Sequence, residues 1–355
     1  MSTSAAARLS GPWPPATDVP QVGFKEPPDH HEAYWLYGYD PVSAVGHYLY
    51  LAAEKDDLML RRESVFLLLP DGSVLAQHGA GRASQGTTAA GDRLELECLE
   101  PFRRWRGRYA APMHRLAGSE IVAGPGPDSE LTEAVVDLEI ESVAPPWNTE
   151  GDWGEQPPSL RYHQFCDTSG TVTVAGTSYR FAGPGFRSHS RRRREMAGFT
   201  GHAIINGRFR SGRGFGLLRY RATGARPERG RGYLYLDGEL HDADVIAWPH
   251  LTEAVPGGER LTIELHAGRH RAVITAETIG CAFVTPGPDG RAYGAHPGGP
   301  GTVISPAFAR YEWDGETGYG GLERSALRTA ITVPAAPVPA APVPASPGPA
   351  AERKS

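Results

Sequence analysis

An uninterrupted arginine run, Arg191-Arg192-Arg193-Arg194, invites a phosphate-binding reading. With Arg208, Arg210 and Arg213 it could line a groove for phosphate or nucleic acid. Such grooves usually interleave aromatic rings on which bases stack. Only Phe186, Phe199, Phe209, Phe215 and Tyr220 lie nearby, so a solvated edge is the plainer reading. His266 and His270 with His250, or His30 and His31 with Glu32, could be assembled into a metal site. The chain has 13 histidines, however, and that many supply such pairs by chance. Gly212-Arg213-Gly214-Phe215-Gly216 looks like a dinucleotide loop but lacks the strand-helix frame that aims a helix N-terminus at phosphate. No GxSxG elbow, Walker loop or HExxH helix is present. Cys98, Cys166 and Cys281 are far apart and form no CxxC pair, which argues against a disulfide framework or a zinc knuckle and fits a reducing cytoplasm.

The elements that must position any reactive group are strands. Of 355 residues, 44 are Gly and 32 are Pro, an excess that favours turn-rich β structure over helix bundles. Period-two alternation marks strands buried on one face: Leu94, Leu96 and Cys98; Val136, Leu138 and Ile140; Val172 and Val174; Leu261, Ile263 and Leu265. Asp71-Gly72, Asn206-Gly207, Asp237-Gly238 and Asp314-Gly315 predict hairpins. Gly176, Gly207 and Gly238 sit in three similarly shaped segments at equal spacing, which suits a meander of long strands. His250 to Val255 is the only short stretch that reads as a helical turn. Antiparallel sheet on this scale must close or stack to hide its edges, so barrels or sandwiches are expected.

The length suits two domains. An irregular arm spans 1–30, a first β domain 31–150, a second 151–332, and a Pro/Ala-rich disordered tail 333–355. The break is placed at 144–159, where PPWNTEGDWGEQPPS interrupts strand-like sequence. A net charge of −5, no apolar run of spanning length and no secretory leader pattern predict a cytoplasmic protein with neither a membrane span nor a nucleic-acid partner.

Arg161-Tyr162-His163-Gln164, the following SGTVTVAGTSYRF hairpin and Gly183-Pro184-Gly185-Phe186-Arg187-Ser188-His189-Ser190 carry a resemblance. Together they are similar to the start of the second barrel in the AttH-like and carotenoid 1,2-hydratase superfamily of two-domain lipocalin-like proteins. Tyr311-Glu312-Trp313-Asp314-Gly315 through Leu322-Glu323 resembles its closing strand. Pro101-Phe102-Arg103-Arg104-Trp105-Arg106 and Val136 to Ile140 resemble its first domain. The resemblance covers roughly residues 31 to 328. His163 stands where Glu is common in that family, Ser188 where Asp is common, and Arg191-Arg192 replace a Trp-Gly pair.

The resemblance implies two antiparallel lipocalin-like barrels with an apolar cavity in or between them, no metal or organic cofactor, and a hydrophobic small molecule as partner. It further implies a cofactor-independent enzyme that hydrates, dehydrates or cyclises an olefinic terpenoid or polyketide. The alternative is a non-catalytic carrier of the same ligands. Such chemistry needs a proton donor or acceptor, a dry pocket and aromatic faces. His189 beside Arg187 is the first candidate for acid or base, with Tyr162 and His163 as further catalytic candidates. Trp35, Trp105, Trp248, Trp313 and Phe186 are the candidate walls. Glu195, Asp244 and Glu323 are the acidic candidates, Glu323 ranked last because a closing-strand Glu usually pairs with a neighbouring Arg.

The seven prolines from Val333 onward cannot offset the entropy of ordering that segment. Ending the chain at Val333 should therefore leave the melting temperature unchanged, and a drop of several degrees would show that the tail packs on the body.

Overall fold

The computed structural model describes residues 9, 11, 13–20, 30–54, 57, 59–149, 160–193, 198–224, 226–287 and 290–333. Arg194 and Glu195 fall outside them, as do the side chains of Arg192 and Arg193 and the tail beyond Val333. Strand accounts for 65% and helix for 4%, so the all-β expectation holds.

The first sheet contains β1 (His30–Asp40), β2 (Val45–Ala53), β3 (Arg61–Leu68), β4 (Val74–Gly81), β5 (Thr88–Ala90), β6 (Leu94–Glu100), β7 (Arg104–Leu116), β8 (Leu131–Ser142), β9 (Trp147–Asn148), β10 (Leu160–Val174) and β11 (Thr177–Arg193). Pairing runs β4-β3-β2-β1-β11-β10-β8-β7, and a β4–β7 pairing closes an eight-stranded ring. The second sheet contains β12 (His202–Phe209), β13 (Gly214–Tyr220), β14 (Arg229–Leu236), β15 (Glu239–Ala247), β16 (Arg260–Ala267), β17 (His270–Cys281), β18 (Val284–Gly287), β19 (Gly290–Tyr293), β20 (Thr302–Trp313) and β21 (Glu316–Leu327). It closes in the same way, through β17 and β20. Closure leaves neither barrel an open edge along its main ring.

The sheets do not divide the chain where the proline-rich break suggested. Residues 160–193 form β10 and β11 of the first barrel, β11 pairing with β1, and the change of sheet falls between Arg193 and His202. Composition marks a loop at 144–159 but does not say which sheet the next strand joins. Long-range pairing decides that. Asn206-Gly207 is likewise no turn but mid-strand in β12. The Asn206 carboxamide oxygen accepts the Gly321 N–H at 3.3 Å, and a side chain on Gly207 would meet the Phe215 and Tyr311 rings. The other three dipeptides do turn hairpins. His250 to Val255 forms no helical turn, and an isolated bridge ties Glu253 to Thr332.

Both faces are buried along residues 32–40 of β1, 162–166 of β10 and 185–189 of β11. Tyr34 and Leu36 point into the first barrel with Leu49, Leu51, Val65 and Leu67, whereas Trp35, Tyr37 and Tyr39 point outward into a core shared with the second barrel. On that outward face Phe165, Phe186, Tyr37, Tyr48 and Phe66 stand opposite one another across β10, β11, β1, β2 and β3. Phe308 of the second barrel packs on this belt, 5.1 Å from the Phe66 ring and 5.9 Å from Tyr37. The β18–β19 hairpin clasps the first barrel. Tyr293 donates its hydroxyl to the Val65 and Gln77 carbonyls at 3.0 and 2.8 Å.

Close approach of the barrels requires glycine at Gly46. A Cβ there would lie 2.6 Å from the edge of the fully buried Phe308 ring. Gly46→Ala should cost about 1–3 kcal/mol of stability by overpacking. Urea unfolding measures it, and an unchanged midpoint would show that the seam yields.

Candidate active site

Two arrangements lie back to back on the same three strands. On the inner face of the first barrel, Tyr162, His189 and Tyr34 stand in register across β10, β11 and β1, with Gln164 and Arg187 one pair along. Above them sits Asp18, supplied by the arm just after a single 3-10 turn, Pro15–Thr17, and wholly buried. Its carboxylate accepts two bonds from Arg187, Nη1 and Nη2 each at 3.0 Å, one from Trp105 Nε1 at 2.9 Å, and further bonds from the Tyr162 hydroxyl and the Phe102 backbone N–H. Gln164 Oε1 holds the same guanidinium at 2.9 and 2.6 Å. Beside it, Glu32 accepts from His189 Nε2 at 3.1 Å, Arg191 at 3.0 Å and Arg61 at 2.8 Å.

Burial alone would push both carboxyls up. For Asp18 the Arg187 charge, the nearby His189 imidazole and the bonds from Arg187 outweigh burial and hold the carboxyl well below the usual carboxylate range. For Glu32 the His189 bond and charge, then Arg61 and Arg191, do the same. An ionised Glu32 accepts only, so His189 Nε2 carries a proton. Three guanidiniums therefore face two carboxylates inside the barrel, and His189 is locked among them.

On the outer face, strand alternation turns His163 the opposite way from Tyr162. It lies in register with Ser188 and Trp35, one step along from the aromatic belt. Its ring stands 4.9 Å from Phe186, 5.7 Å from Trp147 and 6.4 Å from Trp35. Trp147 in turn leans on Tyr233 of the second barrel at 4.7 Å. Among the described residues, both His163 ring nitrogens, Trp35 Nε1, Tyr37 Oη, Tyr233 Oη and Asn206 Nδ2 are buried without a hydrogen-bond partner. Burial, with the Arg161 charge adding to it, pushes His163 well below 6.5, so its imidazole is neutral at pH 7. The seam opens between Tyr37, Phe165 and Phe186 on one side and Asn206, Arg208 and Tyr319 on the other. It encloses about 210 Å³ including its mouth, yet is nowhere wide enough for a water molecule. Among the described residues, the space between the barrels at this point is a closed seam rather than an open apolar cavity.

The sequence-derived candidates therefore separate. His189, Arg187, Tyr162 and Trp105 share the barrel interior, whereas His163, Trp35 and Phe186 share the seam. Trp248 lies apart, donating to Glu228 at 3.2 Å, and Trp313 sits under the Arg213 guanidinium at 4.3 Å. Asp244 is exposed, and Glu323 pairs with His202 at 2.9 Å rather than with an arginine. Of the arginines read as a phosphate groove, Arg208 pairs with Asp167 and Arg213 with Glu316 at 2.9 Å. Sequence reasoning missed Asp18 and Arg61, and considered Glu32 only beside His30 and His31 as a metal ligand. Glu32 had a signal, since it alternates with Tyr34 and Leu36 on one strand face. Asp18, in an aperiodic arm, had none. Among the described residues no three His, Cys, Asp or Glu side chains converge as metal ligands.

Residues 14–328 match the family model for a domain of unknown function (DUF7064). No curated protein sequence matches the chain. Among solved structures, a putative AttH from Nitrosomonas europaea is similar over 86% of this chain and 97% of its own, at 13% identity and a TM-score of 0.58. CghA with Sch210972 is similar over 84% and 89%, at 11% identity and 0.55. Kievitone hydratase from Nectria haematococca is similar over 83% and 88%, at 10% identity and 0.52. At these identities the likeness establishes the fold, which is that of the AttH-like and hydratase-type two-barrel proteins inferred from the sequence.

Depressed carboxyls stabilise the fold above their ordinary pKa, here 3.8 for Asp18 and 4.5 for Glu32, and that stability is lost as pH falls toward the folded values. Asp18→Asn should cost about 3–5 kcal/mol at pH 7, as loss of one partner in a buried pair does. The gap from wild type should narrow as pH drops below 3.8. Melting curves over that range test the sign; a gap that widens would contradict it.

Proposed function

The chain belongs to the DUF7064 family, and we propose that it is a cofactor-independent enzyme that hydrates, dehydrates or cyclises an apolar olefinic terpenoid or polyketide in the seam between its barrels. One observation carries the reading. Buried polar atoms without partners cost about 1–3 kcal/mol each, and here His163, Trp35, Tyr37, Tyr233 and Asn206 all leave such atoms along one aromatic seam. A ligand with a few polar groups on an apolar frame would satisfy them when it parts the barrels.

Each residue then has a role. Tyr37 Oη and Trp35 Nε1 lie near one another without hydrogen-bond geometry. Both donate to one carbonyl of the substrate, drawing electron density from the conjugated olefin and making its far carbon electrophilic. Burial raises the Tyr37 hydroxyl well above 10.0, so it keeps its proton and acts as a donor. His163 accepts a proton from the attacking water and returns it to the neighbouring carbon; dehydration reverses both transfers. For cyclisation, polarisation of the olefin and enforced proximity suffice. A strongly depressed imidazole is a weak base, yet adequate where the acid is a cation or a water adding to an activated carbon. Phe186 and Trp147 supply faces for developing positive charge and exclude bulk water.

The relatives give support of the same kind. Kievitone hydratase is named for adding water, and CghA was solved with Sch210972. In this reading His189, Arg187 and Tyr162 are positioning residues. They sit on the same strands as His163 and Phe186 but face the other way.

The test is a panel of conjugated polyenones and linear terpenoids, followed by mass spectrometry for products that gain or lose one water or rearrange at constant mass. His163→Gln should slow turnover by about 10²- to 10⁴-fold, the usual range for acid–base groups. Binding, read by quenching of the seam tryptophans, should persist. Binding without turnover by the wild type would make the protein a carrier, and turnover indifferent to His163→Gln would remove the imidazole from the chemistry.

A further inference from the structure

We infer that the mouth of the first barrel is a receptor for a carboxylate, which the chain fills in cis with Asp18. The inference is independent of the seam, since it concerns the opposite face of the strands. Every donor to the carboxylate belongs to the barrel rather than the arm: the Arg187 fork on β11, the Tyr162 hydroxyl on β10, Trp105 Nε1 on β7 and the Phe102 N–H beside it. Asp18 apart, the fork is held by the barrel, the arm adding only the Leu9 carbonyl that Gln164 Nε2 reaches at 3.2 Å. Gln164 Oε1 accepts from Arg187, while its Nε2 donates to the Ala144 and Phe102 carbonyls at 2.9 and 3.1 Å. Arg187 also lies over the Trp105 and Tyr162 rings, at 5.4 and 5.2 Å from their centroids. A planar, two-pronged anion is what such a fork recognises best.

A second observation points to an exchangeable ligand. His189 Nδ1 lies 3.7 Å from Asp18 Oδ1, beyond hydrogen-bonding distance, and has no partner among the described residues although the side chain is wholly buried. Asp18 satisfies most of the site and leaves this atom unserved. A carboxylate free of its tether can shift toward the imidazole and accept from it.

The arm binds as a docked peptide would. Among the described residues, none of its positions before His30 joins either sheet, and the turn's own backbone bonds are internal, Thr17 to Pro14 and Asp18 to Pro15. Side-chain contacts hold it: Trp13 stacks on Phe102 at 6.3 Å, and Gln164 Nε2 and Arg191 donate to the Leu9 and Val19 carbonyls. Tethering gives Asp18 an effective concentration of about millimolar. A competing acid therefore has to be abundant, or the tethered carboxylate absent.

Asp18→Ala in the full chain separates the receptor from its tethered ligand. At pH 7 the variant is melted in sodium acetate or formate and in sodium chloride of equal ionic strength. Acetate should raise its melting temperature by several degrees in a saturable manner, as a ligand specific to the folded state does. Wild type should show no such difference, and Asp18→Ala combined with Arg187→Met should not respond. If Asp18→Ala fails to fold in chloride, its refolding yield in acetate against chloride reads the same site, recovery in acetate alone supporting it. Equal melting, or equal yield, in the two salts would overturn the receptor. Neither outcome bears on turnover in the seam, which is tested with Asp18 in place.

Discussion

Stretches of three strands in the first barrel, residues 32–40 of β1, 162–166 of β10 and 185–189 of β11, have no solvent-facing side, and this constrains nearly everything else. In most lipocalin-sized barrels one strand face looks inward and the other meets water. Here the outward faces of β1, β10 and β11 are pressed against a second barrel, so each consecutive residue must satisfy a different interior. Tyr162 belongs to an ionic cluster and His163 to an aromatic seam; Arg187 serves the first and Phe186 the second. A one-residue slip in any of these ladders would bury charges against aromatics and rings against charges, so register is specified from both sides at once. The same geometry transmits position. Whatever fixes Arg187 and Tyr162 from inside fixes the backbone that carries Phe186 and His163 outside.

That constraint explains what was legible in the sequence. Period two is a local property, and the strands around Leu94, Val136, Val172 and Ile263 were readable from it, as were Asp71-Gly72, Asp237-Gly238 and Asp314-Gly315. Asn206-Gly207 has the composition of a turn but serves a different need, an amide for Gly321 and bare backbone against two rings. The domain division failed because β10 and β11 follow a proline-rich loop yet pair backwards with β1, and no local signal encodes that choice. Half of the inner cluster could be read, since His189, Arg187 and Tyr162 meet through hairpin register. The other half comes from an arm and two distant strands. Asp18 is the sharpest case, an isolated acid in aperiodic sequence whose partners lie in four other segments.

The two sites also differ in how their polar groups are treated. Inside the barrel, five bonds converge on one carboxylate, and charges face opposite charges at 3 Å or less around Glu32 and Asp18. Such a cluster is rigid because moving any member strands another in a low-dielectric interior. In the seam several neutral polar atoms, those of His163, Trp35 Nε1, Tyr37 Oη and Tyr233 Oη, are buried among aromatic rings without a partner in the described residues. One face of these strands is thus held by saturated ion pairs and the other by aromatic packing with unmet polar atoms.

The pairing of β1 with β11 has a consequence for how the protein is made. During synthesis Gly38 leaves the ribosome long before Gly185, its ladder partner, exists. A chain that emerges at about 5–20 residues per second therefore keeps β1 waiting for roughly 8–30 seconds, and β8 for a few seconds, without the hairpin that completes their ring. In that interval the aromatic face of β1, with Trp35, Tyr37 and Tyr39 in alternation, is unpaired and sticky. Those rings are covered only once β10 and β11 have completed the ring and the second barrel has folded against them.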